Sequence, residues 1–481
     1  MSEITKTKEQ SAKSKDRIVW LALALVTIAV YFFGLTIPLL GPDEPRYSQV
    51  AREMFLRGDW VTPTLGGANW FEKPALLYWL QIASYNLFGV SEFAARFGSA
   101  IFGLGTIFSL WILGRRSSAV SRQSSIAKTT DNGQRTTDDF ANWLALIAAS
   151  SIGLLAFSRG ASFDIVLTFP MTASLVAFFI FDQSEKKSGF AFHLSLFAFY
   201  FFIGLALLAK GLIGIVFPFA IVTFYFALSR KLPNKTFIFS LFWGTIISLI
   251  IASLWYVPMY LAHGWTFIDE FFIQHHFQRF TSDKYQHYQP FWFFFLVLPL
   301  MTLPWLPFFL ASIWRIFKGV FPRGDAESPG EKISASHSPL STFAFAWLLV
   351  PLVFFTFSGS KLPGYILPAL PAALVLTAYS VFEFARKSDK RKLILQTSIF
   401  LLFAVVALAL QLIVPKFADD DSVKRLIETT NAKGFTRQRI VNLYTISHNA
   451  EFYAANRLVR TDGKQRRFFD TAEIVREMKR E

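Results

Sequence analysis

Long apolar stretches separated by short polar breaks set the pattern of this chain. After a polar, Lys-rich segment over 1–17, the chain is apolar from Ile18 to Leu40. Further apolar stretches fall at 93–113, 140–157, 165–181, 190–209, 211–228, 236–260, 291–314, 341–357, 364–384 and 393–414. Roughly 20 apolar residues in a helix cross the hydrocarbon core of a bilayer. The pattern therefore predicts an all-α polytopic membrane protein with about 11–13 transmembrane helices. A cleavable signal has a shorter apolar region and a small-residue cleavage site, so the first run is expected to be a retained span.

Ala75 to Val90 is apolar but only 16 residues long, and loop charge decides its placement. Basic clusters stand at Arg115-Arg116, Lys186-Lys187, Arg230-Lys231, Arg315 with Lys318, and Arg386 to Lys392. All fall on the cytoplasmic side only if 75–90 does not cross. The segment is thus predicted as a juxtamembrane helix in a first outer loop at 41–92, giving eleven spans with the C-terminus outside. The other outer segments become 158–164, 261–290, 358–363 and 415–481. The basic 115–139 and the Gly/Pro/Ser-rich 319–340 become cytoplasmic loops. Tags placed within 319–340 and at the C-terminus should report opposite faces of the membrane. Finding both on one face would mean that 75–90 crosses or that a span is missing.

The chain is expected to divide into a cytoplasmic tail at 1–17, a transmembrane domain at 18–414 and a small extracytoplasmic α/β domain at 415–481. In the last part, Arg439 to Ile446 mixes apolar and β-branched residues, a strand signal. Asp470-Thr-Ala-Glu473 reads as a helix start, with helix continuing to Lys479. The unit is too short for a large core.

Composition agrees with the membrane reading: 53% of the 481 residues are hydrophobic and 56 are Phe. The net charge of +15 would suit nucleic acid. The excess, however, sits in loops between spans, where basic residues set orientation, so no nucleic-acid partner is expected. With no cysteine, disulfides and thiolate metal sites are excluded.

Candidate chemistry gathers at the predicted outer face. Gly41-Pro-Asp-Glu-Pro-Arg-Tyr47 follows the first span and is also ordinary turn vocabulary. With Arg52 and Trp70-Phe-Glu-Lys-Pro-Ala-Leu-Leu-Tyr-Trp79 it offers carboxylates for a general base or metal, and cations for phosphate oxygens. The other reading is a set of salt bridges bracing the loop. Arg159 and Asp164 lie in a short break between spans, and Lys210 interrupts a long apolar run. A lysine there is costly unless it is paired or snorkels to the surface. Ile273-Gln-His-His-Phe-Gln-Arg-Phe280 holds His276 and Arg279, and a His with a distant carboxylate can share a divalent ion. Ser358-Gly-Ser-Lys-Leu-Pro-Gly-Tyr365 adds a cation and a phenol.

These clusters occur in the order and spacing of one family. Asp-Glu-Pro-Arg-Tyr at 43–47, Phe-Glu-Lys-Pro at 71–74, Ser-Arg…Asp at 158–164, Lys-Gly at 210–211, His-Phe-Gln-Arg-Phe at 276–280 and Lys-Leu-Pro-Gly-Tyr at 361–365 carry the resemblance. The chain resembles the polyprenyl-phosphate-sugar-dependent membrane glycosyltransferases of the GT-C fold. It is most similar to the branch containing the lipid A aminoarabinose transferase, with the protein O-mannosyltransferases more distant.

The resemblance implies Asp43 as catalytic acid residue of the first outer loop and Asp164 as the second. It implies Arg46, Tyr47, Lys73, Tyr78, Lys210, Lys361 and Tyr365 around the donor phosphate, with Glu44, Arg159 and Arg279 nearby. Glu72 and His276 match positions that can hold a divalent cation (Zn, Mg or Mn) in relatives. The expected activity is inverting transfer of a sugar from undecaprenyl phosphate to a hydroxyl on a lipid, glycan or protein acceptor. Its expected place is the outer face of a bacterial inner membrane. A transporter or flippase of lipid-linked sugars is the alternative, though such a protein usually places its charged site near the bilayer midplane.

Overall fold

The computed structural model describes residues 2–117, 130–184, 188–278, 289–320, 339–444, 447–454, 457–461 and 464–479. In its described residues the protein is a helical bundle whose strands are each two residues long. Among the described residues, seven helices are long and apolar enough to cross a membrane: Glu92–Arg116, Phe163–Asp182, Phe190–Lys210, Lys235–Gln274, Pro339–Thr356, Pro363–Ala385 and Asp389–Asp421. Asp139–Ser150 and Ile152–Ser158 meet at 61° and make an eighth if counted as one span. The first apolar run and Ile213–Ser229 form shorter apolar helices. Much of 115–139 and of 319–340 lies outside the described residues. Helix nevertheless starts at Thr130, so the second part of 115–139 is not a loop.

Two expected spans are broken. The segment 140–157 bends at Ser151, and 291–314 divides into Phe293–Met301 and Leu306–Val320. Pro304 supplies no N–H where the second break falls. The two breaks meet: Ile152 N donates to Leu303 O at 2.8 Å, and Trp305 Nε1 donates to Ser150 Oγ at 2.9 Å. Each irregular backbone thus satisfies the other inside protein, the condition for interrupting a helix at membrane depth. Elsewhere small residues allow close approach: a Cβ at Gly114 would lie 2.6 Å from Ala141 Cα.

Four helices frame the segment 41–92: α1 (Ser2–Phe32), α2 (Asp43–Arg57), α3 (Leu76–Phe88) and α4 (Glu92–Arg116). Within Ala75 to Val90, Leu76–Phe88 is a single helix of 13 residues, shorter than a span requires. Between α2 and α3 runs a hairpin of β1 (Thr64–Leu65) and β2 (Ala68–Asn69). Gly66 and Gly67, both at positive φ, form its two-residue turn. Glu53 fastens that turn to α2, accepting from Gly66 N at 2.8 Å and Thr64 Oγ1 at 2.6 Å.

The chain beyond 414 is α/β in its described parts, with short helices and very short strands. Of the predicted strand at 439–446, Asn442–Leu443 is strand, pairing in parallel with Arg467–Phe468, and residues 445–446 lie outside the described set. The helix start at Asp470 is present: Glu473 N donates to Asp470 Oδ1 at 2.6 Å, and Phe469 N donates to Glu473 Oε2 at 3.0 Å. This reciprocal cap satisfies two end donors at once. The core here is small, centred on Ile427, Ala450, Ala454 and Leu458. Much of the anchoring is polar. Leu39 N donates to Tyr453 OH at 2.9 Å, Lys424 Nζ to Glu92 Oε1 at 2.7 Å, and Arg52 Nη1 to Phe452 O at 2.6 Å. The tail is thereby fastened onto α2, the start of α4 and the chain leaving α1.

Candidate active site

The start of α2 gives two adjacent carboxylates different surroundings. Asp43, Arg46 and Tyr47 stand at i, i+3 and i+4, on one helical face. Asp43 ion-pairs with Arg46 and keeps its side chain 53% exposed. Glu44 points the other way and is enclosed. It accepts from Arg96 Nη2 at 2.6 Å, Arg96 Nε at 3.0 Å, Leu40 N at 2.8 Å and Ala161 N at 2.7 Å. Burial favours its neutral form, but the Arg96 charge and the donated hydrogen bonds outweigh this and hold its carboxyl below the usual range. Glu44 is a brace, and Asp43 is the acid left facing outward.

Around Arg46 the hairpin and α3 contribute a polar and aromatic wall. Its guanidinium lies 5.5 Å from the Trp70 ring centroid and 5.1 Å from that of Tyr47. Lys73 Nζ is 3.2 Å from Glu72 Oε1. Burial, then the charges of Glu72 and Asp43, push the Tyr47 phenol well above its ordinary pKa, so it stays a neutral hydrogen-bonding group. Tyr78 is likewise raised by burial, then by Tyr47 and Glu72.

Phe163 links this wall to the second acid. Its ring meets Tyr47 at 4.8 Å and Tyr78 at 5.3 Å, both edge-on. Phe163 opens the helix Phe163–Asp182, whose start is capped by Ser162 Oγ accepting from Asp164 N at 3.1 Å. Asp164 ion-pairs with Lys210, the last residue of the helix Phe190–Lys210. Lys210 Nζ also lies 5.0 Å from the Tyr365 ring centroid, a cation–π contact. Gly364 passes beneath the carboxylate so closely that a Cβ there would collide with Asp164 Oδ2. Lys361 is mostly buried and donates to Ser358 O at 2.8 Å.

The structure therefore brings Asp43, Arg46, Tyr47, Glu72, Lys73 and Tyr78 into one group, and Asp164, Lys210 and Tyr365 into a second, joined through Phe163. Arg159 belongs to neither group through its hydrogen bonds. Its guanidinium donates to Val30 O at 2.5 Å and to Phe33 O, closing the C-terminal end of α1. Lys210 is paired, as burial requires, and is not a snorkelling lysine. The His276 side chain and Arg279 lie outside the described residues. Among the described residues, no three His, Asp or Glu side chains converge, and Glu72 faces an ammonium, so no step is routed through a metal.

Sequence reasoning missed Arg96, Phe163 and Gly364. Arg96 carried a signal, being a charge inside an otherwise apolar span. Phe163 and Gly364 carried none: one is a Phe among many, and the other matters only because of what lies above it.

With this geometry in hand, comparison with known proteins is informative. Residues 135–269 match the family model described as dolichyl-phosphate-mannose-protein mannosyltransferase. The chain is similar to undecaprenyl phosphate-alpha-4-amino-4-deoxy-L-arabinose arabinosyl transferases. It is 32% identical to that of Yersinia enterocolitica, over 81% of this chain and 64% of the relative. It is 30% identical to that of Shewanella sediminis, over 83% of this chain and 66% of the relative. The chain thus spans just under two thirds of the length of these relatives. The crystal structure of ArnT from Cupriavidus metallidurans bound to undecaprenyl phosphate superposes with a TM-score of 0.73 at 22% identity, covering 92% of this chain and 86% of that one.

The fold is that of the GT-C membrane proteins, as the apolar pattern and ordered motifs imply. Within that class the chain is similar to the branch that contains the aminoarabinose transferases.

Proposed function

We propose that this multi-pass membrane protein is an inverting glycosyltransferase. It moves a sugar from undecaprenyl phosphate to an acceptor oxygen on the outer face of a bacterial inner membrane. The relatives' names favour 4-amino-4-deoxy-L-arabinose as the sugar and a glycolipid such as lipid A as the acceptor. One observation carries the reading: two carboxylates, each ion-paired to a cation, are held at neighbouring helix starts beside further cations and phenols.

The chemistry follows from those pairs. The acceptor oxygen forms a bond to the anomeric carbon while the bond from that carbon to the carrier phosphate breaks, and the electron pair leaves on phosphate. Asp43, exposed at the start of α2, takes the acceptor proton. Arg46, Lys73 and Lys210 face growing negative charge on the leaving phosphate, which therefore needs no general acid. An arriving phosphate competes with Asp43 for Arg46 and with Asp164 for Lys210. Donor binding then frees the two carboxylates when they are needed. Tyr47, Tyr78 and Tyr365 supply neutral hydrogen bonds and apolar ring faces.

The test is product analysis with reconstituted protein and a lipid-phosphate sugar. Release of free carrier with a mass increase on the acceptor supports transfer. Movement of intact donor across the bilayer without bond cleavage would identify a flippase and overturn the reading. Lys210→Ala is expected to raise the donor KM more than Lys210→Arg, since retained charge still offsets part of the phosphate charge. Equal, mild effects of the two would remove Lys210 from the donor site.

A further inference from the structure

α1 and the helix Asp389–Leu412 pack together, and α1 begins at the end of the bundle away from the acid pairs. A cleft opens between the two, lined by Val19, Ala22 and Leu23 of α1 and by Leu393, Gln396 and Phe400 of the second helix. Its wall is apolar except for one amide and one hydroxyl. Gln396 is 7% exposed, and its Nε2 has no hydrogen-bond partner among the described residues. A buried amide donor without a partner is costly, and because the Gln396 side chain lines the cleft, an acceptor carried by the cleft's occupant would satisfy it.

The mouth of the cleft is basic. Arg17 is exposed at its α1 side, and Arg386 to Lys392 places five basic residues and one acid at the other. Lys392 Nζ lies 5.5 Å from the Trp20 ring centroid, which places its ammonium between the two helices. Gln396 stands one turn further in than Lys392, about 6 Å along the axis. An occupant must therefore combine a long apolar chain, an anionic head and an oxygen acceptor shortly below that head.

We infer that this cleft binds one anionic glycerophospholipid from the leaflet opposite the active site. Its phosphate rests among Lys392, Lys390 and Arg17, an ester carbonyl accepts from Gln396 Nε2, and an acyl chain fills the apolar wall. Gln396 separates this occupant from a polyprenyl phosphate, which has the phosphate and the apolar chain but no ester carbonyl.

The test is native mass spectrometry of the full chain in detergent, titrated separately with phosphatidylglycerol, phosphatidylcholine and undecaprenyl phosphate. One phosphatidylglycerol should be retained in preference to the other two. Lys390→Gln and Lys392→Gln should each weaken retention about fivefold, the usual share of a basic residue at an anionic lipid surface. Gln396→Leu should weaken it as well, and Ala22→Phe should abolish it by filling the cleft. Melting temperature and elution volume report folding of each variant independently of sugar transfer. Equal retention of phosphatidylcholine would mean only annular lipid and would overturn the site. So would retention unchanged in both Gln396→Leu and Ala22→Phe, and preferential uptake of undecaprenyl phosphate would assign the cleft to the carrier.

Discussion

Asp43→Asn is expected to lower turnover by about 10²–10⁴-fold, the usual share of a positioned general base. The substitution keeps the size of the side chain and still offers Arg46 a carbonyl oxygen, so the fold and the cation group should survive. It cannot take a proton from the acceptor. The donor KM should not rise and should fall modestly, because the phosphate is met by Arg46, Lys73 and Lys210 and no longer competes with a charged Asp43 for Arg46. The exposure of Asp43 makes the test clean, since a half-exposed carboxylate at a helix start contributes little to packing. Single-turnover kinetics on matched, well-folded preparations is the measurement. Near-normal transfer by the Asn variant would sink the assignment. The base would then be Asp164, or the acceptor oxygen would arrive already ionised and need none.

Much of this architecture was legible because bilayers impose strong rules. Each of the eleven apolar stretches is helical over most of its length, and the short stretch at 75–90 holds the single helix α3. What the pattern did not show were the breaks at Ser151 and Leu303, because hydropathy records polarity and not backbone direction. Each break depends on the other for its hydrogen bond, a contact between residues far apart in the chain. The hairpin at Gly66-Gly67 had a local signal in its glycine pair, yet its strands are too short for an alternating pattern.

The site divides in the same way. Asp43, Arg46 and Tyr47 were readable as a group because helical spacing places them together. Asp164 and Lys210 were readable singly as charges expensive to bury, but their pairing depended on tertiary structure. Arg159 was equally conspicuous, and its hydrogen bonds go to the end of α1. An ionisable residue near a membrane must find a partner, but sequence does not say whether that partner is a ligand, a carboxylate or a backbone carbonyl. The same ambiguity covered Glu44, beside Asp43 in sequence and opposite in use.

Removing Arg96 is expected to be the most destabilising single change around the start of α2. Its side chain is 4% exposed and that of Glu44 is 14% exposed. Arg96 also donates to Leu35 O and Pro38 O, each at 3.0 Å, so one guanidinium ties the chain leaving α1 to the start of α2. Arg96→Met leaves Glu44 enclosed and unpaired, a loss of about 3–5 kcal/mol. Adding Glu44→Gln should recover part of it, because the neutral amide can still accept from Leu40 N or Ala161 N. The charge makes a pH prediction as well. The folded pKa of Glu44 lies below its unfolded value, so its contribution is fully present above the unfolded pKa, about 4.3. That contribution is lost as pH falls through the folded pKa. The melting-temperature gap between wild type and Glu44→Gln should therefore be widest near neutral pH and narrow below about pH 4. A gap constant across that range would show that shape and not charge holds the clamp. The clamp also reaches Ala161, three residues before Asp164, so it fixes the start of α2 relative to the second acid. Glu44→Gln should accordingly reduce turnover less than Asp43→Asn when both are assayed well below their melting temperatures, through loss of alignment between the two acid pairs.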